Sequence, residues 1–76
     1  SAASDVYKRQ VYEENGMLVT ERTVDGQRIT LYINLTGESK SVREENRTLL
    51  MANRREKAGR LQTDGYAIYQ NGQEEQ

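Results

Sequence analysis

Apolar and polar side chains alternate from Gln27 to Thr36, with Ile29, Leu31, Ile33 and Leu35 in one register and Arg28, Thr30, Tyr32 and Asn34 in the other. Successive side chains of an extended chain point to opposite faces, so this period of two predicts a strand with one apolar and one mixed face. In a helix the same four apolar residues would be scattered around the circumference. Upstream lies a second β-compatible run, Met17-Leu18-Val19-Thr20-Glu21-Arg22-Thr23-Val24, and the Asp25-Gly26 pair between the two suits a type I′ turn. Together they form a hairpin. Val11-Tyr12-Glu13-Glu14, followed by Asn15-Gly16, adds a third strand by the same device.

Two-residue turns fix the register. Tyr12 falls opposite Val19, Val19 opposite Tyr32, Leu18 opposite Ile33, Thr20 opposite Leu31 and Arg22 opposite Ile29. A bulge in either loop would shift every pair and exchange the faces. Both faces carry apolar groups, which predicts a sheet covered on two sides. Leu18, Ile29, Leu31, Ile33 and Leu35 are expected to close a sandwich. The Tyr12-Val19-Tyr32 stripe is expected to be buried by a neighbouring domain or strand, and Arg22 to pair with an acid such as Glu13 or Glu21.

Beyond the loop Thr36-Gly37-Glu38-Ser39-Lys40 the pattern supports two readings. Ser41-Val42-Arg43-Glu44 has the form of a capping box, and helix formers follow, so a helix over 42–57 is one reading. Its apolar residues are bunched, however, and Thr48-Leu49-Leu50-Met51-Ala52-Asn53 equally makes a short buried strand. Leu61 stands alone in a polar run, Thr63-Asp64-Gly65 has turn chemistry, and Tyr66-Ala67-Ile68-Tyr69 is a strand. Residues 71–76 form a polar tail. The pattern is that of an all-β antiparallel meander, with the helix at 42–57 as the alternative.

Composition sharpens this picture. With 76 residues, 34% of them hydrophobic, the chain is one domain at most and lean for a self-sufficient core. It has no Cys and no His, which removes disulfides and any thiolate or imidazole metal site. Absence of Cys fits a cytoplasmic protein. A net charge of -1 with mixed signs gives no global attraction to nucleic acid or membrane, and no apolar run has the length of a membrane span. Ser1-Ala2-Ala3-Ser4-Asp5-Val6-Tyr7-Lys8-Arg9-Gln10 resembles the in-frame translation of a transposase-type sequencing-library adapter. On that reading residues 1–10 are non-native, the natural sequence begins at Val11 as a truncated frame of metagenomic type, and the domain occupies 11–70. The alternative is a genuine N-terminal strand, since Val6-Tyr7 and Val11-Tyr12 are β-prone.

The run from Leu18 to Thr36 resembles the C-terminal β-domain of α-amylase-superfamily glycoside hydrolases of the neopullulanase, cyclomaltodextrinase and α-glucosidase type. Those domains read as a strand ending in Arg, a Gly-containing turn, and an apolar strand closing on Asn-x-Ser/Thr. Here these are Leu18 to Arg22, Asp25-Gly26, Ile29 to Ile33 and Asn34-Leu35-Thr36. Leu49-Leu50-Met51-Ala52-Asn53, Leu61 and Gly65-Tyr66-Ala67-Ile68-Tyr69 follow in the family's order. The chain departs from the family in having no Pro where Thr63 or Asp64 stands. The resemblance implies a Greek-key sandwich packed on a (β/α)₈ barrel, with 48–53 as a strand. It also implies a parent enzyme that cleaves α-1,4 or α-1,6 glucosidic bonds, oligomeric through the parent if at all.

Candidate chemistry is sparse. Retaining glycosidases need two carboxylates about 5–5.5 Å apart on a rigid scaffold. Glu13, Glu14, Glu21, Glu44, Glu45 and Asp64 all fall in turns, strand edges or charged loops and read as solvated acids. Ser39 and Ser41 have no His partner. No catalytic, cofactor-binding or metal-ligating residue is assigned, and no cofactor. Two other functions are conceivable: a nucleic-acid-binding module using Arg43, Arg47, Arg54, Arg55, Lys57 and Arg60 on one helix face, or a carbohydrate-binding module stacking sugars on Tyr12, Tyr32, Tyr66 and Tyr69. Asn34-Leu35-Thr36 and Asn46-Arg47-Thr48 match the glycosylation triplet, and Asn34 is expected to end its strand.

Overall fold

The computed structural model describes residues 7–72. Its three N-terminal strands are β1 (Tyr7–Glu14), β2 (Met17–Val24) and β3 (Gln27–Ile33). Asn15 and Gly16 have φ of 55° and 84°, and Asp25 and Gly26 of 52° and 78°. Both turns therefore hold two successive residues at positive φ, as a type I′ hairpin requires. The register follows: Tyr12 faces Val19, Val19 faces Tyr32, Leu18 faces Ile33, Thr20 faces Leu31 and Arg22 faces Ile29. Strand β1 already runs from Tyr7, so residues 7–10 of the adapter-like stretch are paired with β2.

Three strands complete the sheet: β4 (Lys40–Ser41), β5 (Arg47–Glu56) and β6 (Arg60–Asn71). A 3-10 turn at Lys57–Gly59 joins the last two. All pairings are antiparallel, and β6 is the hub. One edge takes β3 along Tyr66–Gln70 and β4 at Arg60 and Leu61, while the other takes β5. The result is a single all-β sheet curled like half a barrel. Its radius of gyration, 13.2 Å, exceeds the roughly 11 Å of a compact chain this long.

Residues 42–57 form no α-helix. The 48–53 segment is a strand, but not a buried one: Leu49, Leu50 and Met51 are 39%, 49% and 56% exposed. Ser41 pairs in β4 in place of capping a helix, and Val42 donates its N–H to the Gly59 carbonyl at 2.8 Å. Thr63-Asp64-Gly65 is no turn either. It lies inside β6, where Asp64 takes φ 68° and the β5 register slips between Asn53 and Arg55. A Cβ on Gly65 would sit 2.6 Å from the Asn53 carbonyl oxygen, so the two backbones meet there only because residue 65 has no side chain. The tail begins later than the composition suggests. Asn71 closes β6 opposite Arg47, Gly72 donates its N–H to the Asn46 carbonyl, and residues 73–76 lie outside the described residues.

The core sits on the face that the alternation assigned to a neighbour. Met17, Val19, Tyr32, Val42, Leu61, Ala67 and Tyr69 form one buried cluster, with Tyr12 and Ala52 packed against it. The Tyr12-Val19-Tyr32 stripe is thus covered by the chain itself, through Val42 from the 34–46 connection and Leu61 from the first half of the bent β6. Asn34 anchors that connection. It is fully buried, and its Nδ2 donates to the Glu38 and Leu61 carbonyls at 2.9 and 2.8 Å. Its Oδ1 accepts from the Thr36 N–H and hydroxyl. Asn34 ends β3, as expected, and has no amide hydrogen to spare for a glycan.

Candidate functional site

Pairing places three rows of side chains on the outer face of the sheet. The middle row runs Val11, Thr20, Leu31, Ile68, Met51. On one side lies the row Glu13, Leu18, Ile33, Tyr66, Asn53, and on the other Arg9, Arg22, Ile29, Gln70, Thr48. Apolar residues fill the centre, and the charged members, Glu13, Arg9 and Arg22, sit at the β1–β2 end. Val11 is 61% exposed, Met51 56% and Leu18 39%, whereas their inner-face neighbours Met17 and Val19 are completely buried. Leu31, Ile33, Ile68, Ile29 and Tyr66 are half-buried by the side chains beside them, not by a covering layer. Leu35, just past β3, is 68% exposed. The five residues expected to close a sandwich are therefore not a core. A contiguous apolar face this broad is the kind of surface that monomeric proteins reserve for association.

The inner face carries the polar chemistry. Tyr32 and Tyr69 meet edge to face, with centroids 6.1 Å apart and planes at 83°. The Arg47 guanidinium lies 5.6 and 5.9 Å from the two ring centroids and donates to the Tyr32 hydroxyl at 2.9 Å. The Tyr69 hydroxyl donates to Glu44 at 2.5 Å, and Arg55 holds the same carboxylate through two nitrogens at 2.7 and 2.9 Å. The fork-to-carboxylate geometry is what a guanidinium does best. Arg55 holds the Glu44 carboxyl below its ordinary range, burial of the carboxylate opposing and the Tyr69 bond assisting. Burial, and then the bond to Glu44, pushes the Tyr69 hydroxyl up to about 12. A carboxylate held ionised by a dedicated arginine is a poor proton donor at neutral pH, and its lone pairs here are taken up by Arg55 and Tyr69, so this network braces the core.

The other sequence candidates disperse. Glu14 accepts from Arg43 at 3.3 Å, Glu21 lies 3.5 Å from the Thr30 hydroxyl, and Glu13, Glu45 and Asp64 are exposed. Arg54 donates to the Thr63 carbonyl, and Arg60 to the Ser41 hydroxyl and the Ser39 carbonyl. Arg22 is exposed on the outer face. The helix face that a basic nucleic-acid module would need does not form, because Arg47, Arg54 and Arg55 belong to β5 and Arg60 to β6. Sugar stacking fares no better: Tyr32 and Tyr69 are buried, and Tyr12 and Tyr66 are half-buried. Among the described residues no group of three or more His, Cys, Asp or Glu is placed to hold a metal, and no helix is long and apolar enough to cross a membrane.

Sequence reasoning placed Leu18, Thr20, Arg22, Ile29, Leu31 and Ile33 on one face but did not bring Tyr66, Ile68 and Gln70 of β6 or Thr48, Met51 and Asn53 of β5 to it. A strand signal at 66–69 and another at 48–53 were both present. The missing information was that β6 bends at Asp64 and lies between β3 and β5. Compared with protein-family models, curated proteins and solved structures, the chain matches none.

Proposed function

We propose that this chain is a non-catalytic docking domain whose outer sheet face is built to lie against a neighbouring protein surface. The observation that carries the reading is the uncovered apolar band Val11–Leu31–Ile68–Met51, flanked by Leu18, Ile33 and Tyr66, on a sheet whose other face already holds the core. Burying apolar surface is worth roughly 25 cal/mol per Å², so a band of this kind is a standing source of association energy. The resemblance of Leu18–Thr36 to α-amylase-superfamily C-terminal domains supplies the neighbour: the (β/α)₈ barrel of an α-glucan-hydrolysing glycosidase, in the same polypeptide. In that setting the domain stabilises the barrel, and the barrel carries the chemistry.

Two measurements test this. The purified chain is expected to hydrolyse no maltooligosaccharide; turnover above buffer that tracks the chain through purification would overturn the non-catalytic reading. The genomic frame that carries this sequence is expected to encode, in the same polypeptide, a domain of (β/α)₈ length with acidic residues at strand ends. A frame encoding a different architecture would remove the glycosidase assignment and leave the docking face without its named neighbour.

A further inference from the structure

We infer that the inner, concave face of the sheet carries a binding site for a small zwitterion, a free α-amino acid, in the cleft where Arg28, Arg47 and Asn71 meet. The site lies on the face opposite the docking band and stands whether or not that band docks.

The cleft forms where the core face runs out of apolar residues. Alternation puts Glu21 on the side of Val19 in β2, Arg28 on that of Tyr32 in β3 and Asn71 on that of Tyr69 in β6. These three therefore share the inner face with the buried cluster. Thr30, between Tyr32 and Arg28, is still completely buried, whereas Arg28 is exposed. Arg43, Glu45 and Arg47 reach the same place from the chain entering β5, and the cleft they line with the other three holds about 240 Å³. That is less than the roughly 300–1,000 Å³ of drug-sized sites and suits one small solute.

Charge and hydrogen bonding specify the solute. Two guanidiniums in the cleft meet no carboxylate among the described residues. Arg28 makes no ion pair, and Arg47 spends Nη1 on the Tyr32 hydroxyl and the Arg43 carbonyl, each at 2.9 Å. The two tyrosine rings hold Arg47 in place, and its Nε and Nη2 make no bond among the described residues. Arg43 is already answered by Glu14. Two carboxylates in the same cleft meet no cation there: Glu45 is exposed and unpaired, and Glu21 accepts from the Thr30 hydroxyl at 3.5 Å. Asn71 adds a third acceptor. Its Nδ2 donates to Thr30 Oγ1 at 3.0 Å, and since that hydroxyl gives its own proton to Glu21, the amide is fixed with its oxygen left over. This Oδ1 is buried and receives no hydrogen bond among the described residues, an arrangement that costs stability until a donor answers it. A simple anion is opposed by Glu21 and Glu45, and a simple cation by Arg28 and Arg47. A molecule with both charges satisfies both pairs. Its carboxylate takes the guanidinium N–H groups, and its ammonium, three donors and no acceptor, takes Glu21, Glu45 and the Asn71 oxygen at the floor. No apolar side chain lines the cleft, so the amino acid's own side chain is small.

Proton–nitrogen correlation NMR of the 76-residue chain, at constant ionic strength and neutral pH, tests the proposal with three isosteric probes. L-alanine is titrated to about 100 mM, a range that covers the millimolar affinity expected of so small a ligand in an open cleft. The expected result is a saturable shift of the Asn71 side-chain amide and of the Arg28 and Arg47 Nε–H signals, with the outer-face amides of Leu31 and Ile68 unmoved. L-lactate, which has a hydroxyl for the ammonium, and L-alaninamide, which lacks the carboxylate charge, should each bind about tenfold more weakly or worse, the loss of one set of charge-assisted bonds. Arg28→Gln and Glu45→Gln, both at exposed positions, should weaken L-alanine to a similar degree while the rest of the spectrum stays that of the parent. No saturable shift with L-alanine would overturn the site. L-lactate binding as well as L-alanine would overturn the ammonium half of the assignment, and L-alaninamide doing so would overturn the carboxylate half. Binding undiminished in both variants would overturn the location.

Discussion

At the scale of single residues, the decisive side chains are those whose polar ends are answered inside the sheet. Tyr32 and Tyr69 can be buried because Arg47 meets one hydroxyl and Glu44 the other. Without these partners each hydroxyl would lose its hydration with nothing in return. Replacing Tyr69 with Phe removes a bond to an ionised group and should cost about 1.5–3 kcal/mol in denaturant unfolding. The pH dependence has a definite sign at each end. Glu44 has a lowered folded value, so its contribution is complete above the ordinary carboxylate range of about 4.3 and is lost as pH falls through that lowered value. Tyr69 has a raised value, so the folded state holds its proton more tightly, and stability declines as pH climbs from about 10 towards about 12. Thermal melts across pH should show both shoulders, with the acid one flattened in Glu44→Gln and the alkaline one flattened in Tyr69→Phe.

At the scale of elements, the turns carried most of the readable information. Asn15-Gly16 and Asp25-Gly26 set the register of β1, β2 and β3 residue by residue, because a two-residue turn leaves no freedom to slip. Gly26 holds φ at +78° with open space around it, so a side chain there suffers from its backbone conformation alone. Gly26→Val should therefore destabilise by about 1–2 kcal/mol, while Gly26→Asn should cost much less. Gly65 is the opposite case. Its φ is not left-handed, but a Cβ would strike the Asn53 carbonyl, so even Gly65→Ala should disturb the β5–β6 pairing and be seen as lost amide protection at Ala52 and Ala67. The Thr63-Asp64-Gly65 stretch shows where local reading stops. Its residues suit a turn and suit a bulge equally, and only the two partners on either edge of β6 decide between them. The same holds for 42–57, where helix propensity is real but pairing with β6 overrides it.

At the scale of the molecule, the sheet was legible and its inside was not. Alternation in β3 shows that two faces exist and which residues share each. It cannot show which face is covered, because Ile29, Leu31 and Ile33 are as apolar as anything opposite them. The choice is made far away in sequence, by Val42 entering from a polar connection and Leu61 entering from a lone position, both under the tyrosine face. Neither residue announces a core when read in its own neighbourhood. The apolar face of β2 and β3 is legible from its composition, but that it is the uncovered face follows only once the core is located on the other side.

Leu18 and Val19 separate the two possibilities, since they are adjacent in β2 and point to opposite faces. Their lysine variants should be compared by equilibrium unfolding in urea at a concentration dilute enough to keep the chain monomeric. The account predicts that Val19→Lys, which places a charge in the tyrosine core, loses more than about 3 kcal/mol or fails to fold, whereas Leu18→Lys stays within about 1 kcal/mol of the parent. The reverse order, with Leu18→Lys the damaging change, would mean that the apolar face is the interior and would contradict the account.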